Sequence, residues 1–292
     1  MPNTPMQGFP YPALSDAANG PVAFQNLAQA VEKRVVMVYA DAASRTAAVP
    51  APTAGMLSFL TTTGVFEWYT GTAWVALRPL TNSTFTQSIA GSANFVKPTG
   101  PAARLHIVEL WGPGGAGGGC VGAGSGTAEG GGGGAGGYVR RVYADSELSA
   151  SEPFLIGAGG TGVSGNNGNP GSASSTFKAL TAGAGAGGSV MTSGTTDAGA
   201  NGGQGGTGSG GQLNAQGSDG GKGRRLGSTC LFANHGGAAP VGGGAVMFPN
   251  FGAGTGTAGN SPGGGGSGGF ASTANVAGGA GAPGKILVTS LY

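Results

Sequence analysis

Several short motifs in this chain have the residue types and spacing of active sites. Gly157-Ala-Gly-Gly-Thr-Gly162 fits GxGxxG, the turn that cradles a dinucleotide pyrophosphate. That chemistry needs a helix N-terminus directly after the glycines, and Val163-Ser-Gly-Asn-Asn-Gly-Asn-Pro170 cannot open a helix. Gly259-Asn-Ser261-Pro-Gly263 and Gly265-Gly-Ser267-Gly-Gly269 fit the GxSxG nucleophile pattern, but neither sits on a strand-to-helix elbow. Gly221-Lys222-Gly223 fails as a phosphate-binding P-loop, because Gln216 and Gly223 stand where a glycine and a hydroxyl residue are required. The chain has two histidines, His106 in a strand-like run and His235 in a loop, too few for a His-based centre. Cys120 and Cys230 form no CxxC and no Cys/His cluster, so two unpaired thiols are expected, with a disulfide as the alternative. Glu109, Glu129, Glu147 and Glu152 are scattered, with nothing to set two of them about 5 to 9.5 Å apart for glycoside hydrolysis. The expectation is no enzyme, no cofactor and no metal.

These false signatures arise from low complexity. All but seven of the 67 glycines fall in residues 112–284, nearly one residue in three. Glycine loses the most backbone freedom on ordering, so such a run ordinarily reads as a tether. Here it is bracketed by two apolar, β-like runs, Leu105 to Trp111 and Ile286 to Tyr292, which a tether does not need. The glycines are clumped, without the strict Gly-X-Y period of collagen. Charged residues make up 8% of 292 and the net charge is +2, which excludes ordinary charge-rich disorder and a nucleic-acid footprint. Met1-Pro-Asn-Thr-Pro-Met lacks the basic and apolar regions of a secretory signal, and no apolar run reaches the ~18 residues of a membrane helix. No membrane insertion is expected.

The fold expected is mainly β. Residues 1–19, with Pro2, Pro5, Pro10 and Pro12, read as an extended proline-rich arm. Residues 20–40 read as a short helix with the stripe Phe24, Leu27, Val31, Val35 and Val38, unstable alone and suited to a trimeric bundle. Residues 41–80 contain three strand-like runs, Met56 to Thr61, Val65 to Tyr69 and Ala73 to Leu77, a small antiparallel β meander. The preceding stretch, 45–52, reads as irregular. Residues 81–102 read as a linker. Residues 103–292 read as a glycine-rich β-sandwich-like domain, with strands at Arg104 to Trp111, Tyr138 to Tyr143, Pro153 to Ile156, Ser174 to Leu180 and Lys285 to Leu291. Its long loops need a way to satisfy their peptide groups. Polyglycine helices of the PPII type, packed side by side without Cβ atoms between them, would supply it.

Leu110-Trp111-Gly-Pro-Gly-Gly-Ala-Gly-Gly-Gly119, Gly-Gly-Ala-Gly-Gly-Tyr138-Val139, Ile156-Gly-Ala-Gly-Gly-Thr-Gly162, Ser174-Ser-Thr-Phe177 and Gly281-Ala-Pro-Gly-Lys-Ile286 together resemble the glycine-rich C-terminal domain of bacteriophage minor tail proteins. Ala43-Ser-Arg45, Pro50, Pro52, Gly55-Met56 and Gly71-Thr-Ala-Trp74 are similar to a small β element common near the start of such proteins. In composition the region also resembles tail-tip adhesins whose glycine-rich helices form a slab displaying loops. The resemblance implies a tail fibre or tail-tip protein of the virion, assembled in the host cytoplasm and trimeric. It implies contact with other tail proteins through the N-terminal arm and helix, and adsorption to a host cell-surface glycan or protein.

Within the glycine-rich field, Phe232, Phe248, Phe251 and Phe270 stand among residues without bulk. Each either anchors a loop or offers an aromatic contact. With His235 they form the candidate receptor-contact set. Arg140-Arg141 and Arg224-Arg225 read as solvated charge pairs, with contact to an acidic glycan or phosphate as the alternative. A second reading from another class is a cellular glycine-rich protein, a wall-associated or ice-binding bundle of PPII helices.

Overall fold

The computed structural model describes residues 20–32, 35–77, 82–98, 103–231, 234–242 and 254–292. The chain divides into two compact units at Thr81/Asn82. The N-terminal arm expected over residues 1–19 lies outside the described residues.

In the first unit, helix α1 spans Gly20–Glu32. The helix expected to residue 40 is shorter, because Val36–Tyr39 forms a strand, β1. Val36 and Val38 are branched at Cβ and, with Tyr39, favour a pleat, and β1 pairs in parallel with β2, Leu57–Leu60. The expected meander follows as β2, β3 (Val65–Tyr69) and β4 (Trp74–Leu77), giving the sheet order β1-β2-β3-β4. Part of the stretch expected to be irregular is helical: α2, Ala42–Ala48, is started by Asp41, whose carboxylate accepts the Ser44 amide at 2.7 Å. Arg45 of α2 is buried, pairs with Glu67 and lies 4.5 Å from the Trp74 ring centre. The opposite face of the sheet is wholly apolar. Register aligns Val36, Leu57, Trp68 and Val75 in one row and Val38, Phe59, Phe66 and Leu77 in the next.

The second unit is built on two five-stranded antiparallel sheets. Residues 82–102, expected as a linker, supply a strand to each: β5 (Asn82–Gln87) and β6 (Gly91–Val96). Phe85 on the first and Ala93 and Phe95 on the second turn inward at alternate positions and supply the apolar contacts despite the polar composition. The first sheet runs Leu213–Ala215, Tyr138–Ala144, β7 (Leu105–Trp111), Lys285–Leu291, β5. The second runs Gly208–Ser209, Leu180–Ala182, Ser175–Phe177, Ser151–Ile156, β6. Val108, Leu110 and Val288 from one sheet and Phe95, Phe154 and Phe177 from the other close a single core. This is the expected β-sandwich, entered from 82 instead of 103.

The glycine runs leave this sandwich at one end and reach a second, smaller core at the other. Residues 112–119 start after β7 and finish at Cys120, which joins Ala128, Met191, Ala200, Cys230 and Phe270 in that cluster. Residues 130–137 return from it to Tyr138. Both runs are buried throughout. Their hydrogen bonds follow a three-residue rule. The amides of Gly112, Gly115 and Gly118 donate to Gly137, Gly134 and Gly131, those of Gly114, Gly117 and Cys120 to Ala282, Gly279 and Val276, and those of Ala116 and Gly119 to Asn169 and Asn166, all at 2.7–2.9 Å. Their carbonyls accept from the stretches around Gly160, 185–191 and 266–269. Residues 130–137 do the same, donating in rotation to 263–269, 183–189 and 218–221. A β-ladder would alternate every two residues, so these runs are not strands.

This packing leaves no room for a side chain at most of the glycine positions of the two runs. A Cβ at Gly112, Gly115 or Gly118 would fall on the carbonyl oxygens of Gly183, Ala186 or Ser189. Side chains sit instead where the rotation points outward: in Asn201-Gly-Gly-Gln204-Gly-Gly-Thr207 the three larger residues are all exposed. Gly115→Ala is therefore expected to cost about 3 kcal/mol or more. Gly227→Ala, at a turn with φ +56° and open space around it, should cost only about 1 kcal/mol. Denaturant midpoints of the two variants check this, and equal losses would contradict it.

Candidate functional site

Side chains able to do chemistry fall into two places in the second unit: a buried polar set inside the sandwich and the loops at the far end of the glycine runs. The buried set is one that sequence reasoning missed. His106 on β7 faces Ser290 directly across the ladder. Its Nδ1 lies 2.9 Å from Ser290 Oγ, and its Nε2 lies 2.9 Å from Asp145 Oδ1. Ser, His and Asp in line are the parts of a nucleophilic triad. His106 is fully buried and Ser290 is 1% exposed, so no substrate carbonyl reaches the hydroxyl in this packing. The arrangement instead ties β7, the last strand and the 3₁₀ turn Asp145–Glu147 together. Nothing local in the sequence signals it, since the three residues are 39 and 184 positions apart.

The isolated carboxylates each have local partners. Glu109 accepts from the Tyr138 hydroxyl at 2.7 Å, Glu147 from the Ala144 amide at 2.6 Å, and Glu152 from the Ser149 amide at 2.6 Å and Lys178 at 3.0 Å. Glu129 is buried and accepts the Arg224 amide at 3.3 Å. Burial, and then the hydrogen bond to Glu109, holds the Tyr138 phenol above its ordinary range. Cys120 and Cys230 are free and buried in the same cluster. Burial raises both thiols, Cys120 to about 12, and Cys120 donates to the Gly269 carbonyl at 3.0 Å. Among the described residues no group of three His, Cys, Asp or Glu side chains could hold a metal.

Phe232, Phe248 and Phe251 lie outside the described residues. Phe270 is corrected from contact to anchor: it is 7% exposed, pairs with Glu129 across a short ladder and belongs to the second core. Apolar burial of a whole ring outweighs any contact role there. His235, expected in an open loop, is half-buried, and its carbonyl accepts the Gly221 amide at 2.7 Å. The Gly157–Gly162 motif packs against the chain at 278–282 and no helix follows it, while Ser267 of the second GxSxG is buried.

What the far end does present is a three-stranded sheet, Ala198–Ala200, Gly223–Leu226 and Thr229–Leu231. Arg224-Arg225 divides across it, correcting the expectation of a solvated pair. Arg225 points inward, 5% exposed, and donates to the carbonyls of Thr196 at 2.7 Å, Thr127 at 3.0 Å and Thr192 at 2.5 Å, binding two tip loops to the sheet. Arg224 points outward, opposite Gly199. A Cβ at Gly199 would meet only the Gly223 carbonyl, at 3.8 Å, so the floor there is open. The result is a groove of about 450 Å³ whose lining includes Asp197, Asn201, Lys222, Arg224 and Leu226. Asp197 is occupied by the Gly227 amide at 2.8 Å. Two exposed cations over a glycine floor suit an anionic or polyhydroxyl group, with Arg224 offering a planar fork.

No protein-family model matches the chain, and no curated protein matches it.

The Asp145 contacts set an acid response. Its hydrogen bonds from His106 and then Lys97 hold the Asp145 carboxyl below its ordinary value. A depressed carboxylate contributes stability that is complete above its unfolded value near 3.9 and is lost as pH falls through the lower folded value. Unfolding followed from about pH 6 to pH 2 should show the second unit weakening below about pH 4. Asp145→Asn should lose about 1 kcal/mol at neutral pH and show a shallower acid decline. An unchanged acid slope would contradict the assignment.

Proposed function

We propose that the chain is a structural protein of a bacteriophage tail, a minor tail protein, fibre or tail-tip component, whose glycine-rich unit binds the host surface. The observation that carries this is the pair of buried glycine runs, with their three-residue hydrogen-bond rotation, ending on a sheet and loops remote from the sandwich. A three-residue repeat is that of a PPII-type helix rising about 3.1 Å per residue, so eight residues carry the loops about 25 Å from the sandwich. A block held by backbone alone leaves the loop sequences at its end free to vary without loss of the support. That is what a receptor-binding tip requires. The resemblance of residues 103–292 to minor tail proteins supports the same reading.

In this reading three copies assemble, other tail proteins are met through residues 1–40, and the protein belongs to the virion tail, assembled in the host cytoplasm. The receptor is a cell-surface glycan or protein met at the groove around Lys222 and Arg224. An ice-binding bundle would display a regular threonine face, whereas the outer run displays Asn201, Gln204 and Thr207.

Phage particles encoding the chain test this in one experiment. Antibody to residues 82–292 should label the tail end in electron micrographs. Particles carrying Lys222→Ala and Arg224→Ala should assemble normally and adsorb at least about tenfold more slowly, the loss of roughly one charged contact. Unlabelled virions would overturn the tail assignment. Labelled virions with unchanged adsorption would overturn the groove as the contact.

A further inference from the structure

The apolar face of the four-stranded sheet in the first unit is the least explained surface of the described residues. One face is closed by α2, with Arg45, Glu67 and Trp74 between. The other, rows of four residues across β1 to β4, has no charged or polar side chain in either row. Seven of its eight residues are 37–63% exposed, among them Phe66, Trp68 and Leu77. Together they leave on the order of 600 Å² of contiguous apolar surface, at the upper end of what a monomer shows.

We propose that this face is a seam between copies of the chain, sheet against sheet. The inference shares with the reading above only that copies of the chain associate; it leaves their number to the test and does not depend on the host ligand. Three observations favour another copy as the occupant. The face is four strands wide, and the partner that fits a flat apolar sheet face about 10 Å away is a second such face. Two copies would bury about 1,200 Å², the lower bound of a specific interface, with no charge to desolvate. The domain from residue 35 to residue 77 is also too short to close a core on both sides of its sheet, and a second sheet completes the sandwich.

The full chain tests this. Sedimentation or light scattering should give a multiple of 27.7 kDa. Phe66→Lys with Val75→Lys should return the mass to one chain, while circular dichroism and the unfolding transition of the glycine-rich unit stay unchanged. Because lysines could unfold the small sheet, a second variant keeps it apolar: Val75→Cys should cross-link between chains with a flexible bismaleimide whose span exceeds the ~10 Å between packed sheets, against a background kept low by the burial of Cys120 and Cys230. A monomeric wild type, or a Val75→Cys chain that forms no intermolecular link, would overturn the seam and place α1 or the second unit over the face. A twofold mass with cross-linking supports the seam and removes only the threefold part of the functional reading.

Discussion

The closeness of one backbone to another, without a Cβ between them, is the constraint on which the second unit depends. Over residues 112–119 and 130–137 every amide finds a carbonyl on a neighbouring run, and the same neighbour recurs every three residues. Each run is thereby tied to six others. Ordering a residue costs roughly 1–2 kcal/mol of backbone entropy, and a hydrogen bond returns about 0.5–1.5 kcal/mol net. The glycine block alone is thus near break-even. It stands because its runs are clamped at both ends by apolar clusters, the sandwich core around Phe95 and Leu110 and the smaller one around Cys120 and Phe270.

That division of labour explains how chemistry is distributed. Polar side chains inside the unit serve the frame: His106, Ser290 and Asp145 lock strands, and Arg225 gathers loop carbonyls. Groups free to meet a ligand are left to the loops and the outward face of the tip sheet, where Lys222 and Arg224 flank an unfilled floor at Gly199. In the function proposed above, a rigid support with its recognition groups at one end separates stability from specificity. Changes at the tip leave the block intact.

Strands in the second unit were legible because their signal is local. Leu105–Trp111 and Lys285–Leu291 are short apolar runs rich in β-branched residues, and their bounds follow the sequence almost to the residue. Residues 82–96 were misread as a connector because their apolar positions are few and the partner strands lie far along the chain. The helix expected to residue 40 stops short because Val38 satisfies both a helical stripe and a strand pairing, and its pairing with Phe59 is non-local. The glycine field looked aperiodic as a whole, yet each outer run keeps a local triplet, as at Asn201, Gln204 and Thr207. Phe270 could not be sorted into anchor or contact from composition alone, since only the fold brings Cys120, Met191 and Cys230 around it.

Amide hydrogen exchange of the full chain, read residue by residue, tests the account most directly. The amides of residues 112–119 and 130–137 should exchange as slowly as those of Leu105–Trp111, because each opens only when the whole block opens. Exchange of those glycines at unprotected rates, while the sandwich strands stay protected, would mean that the backbone block does not exist in solution.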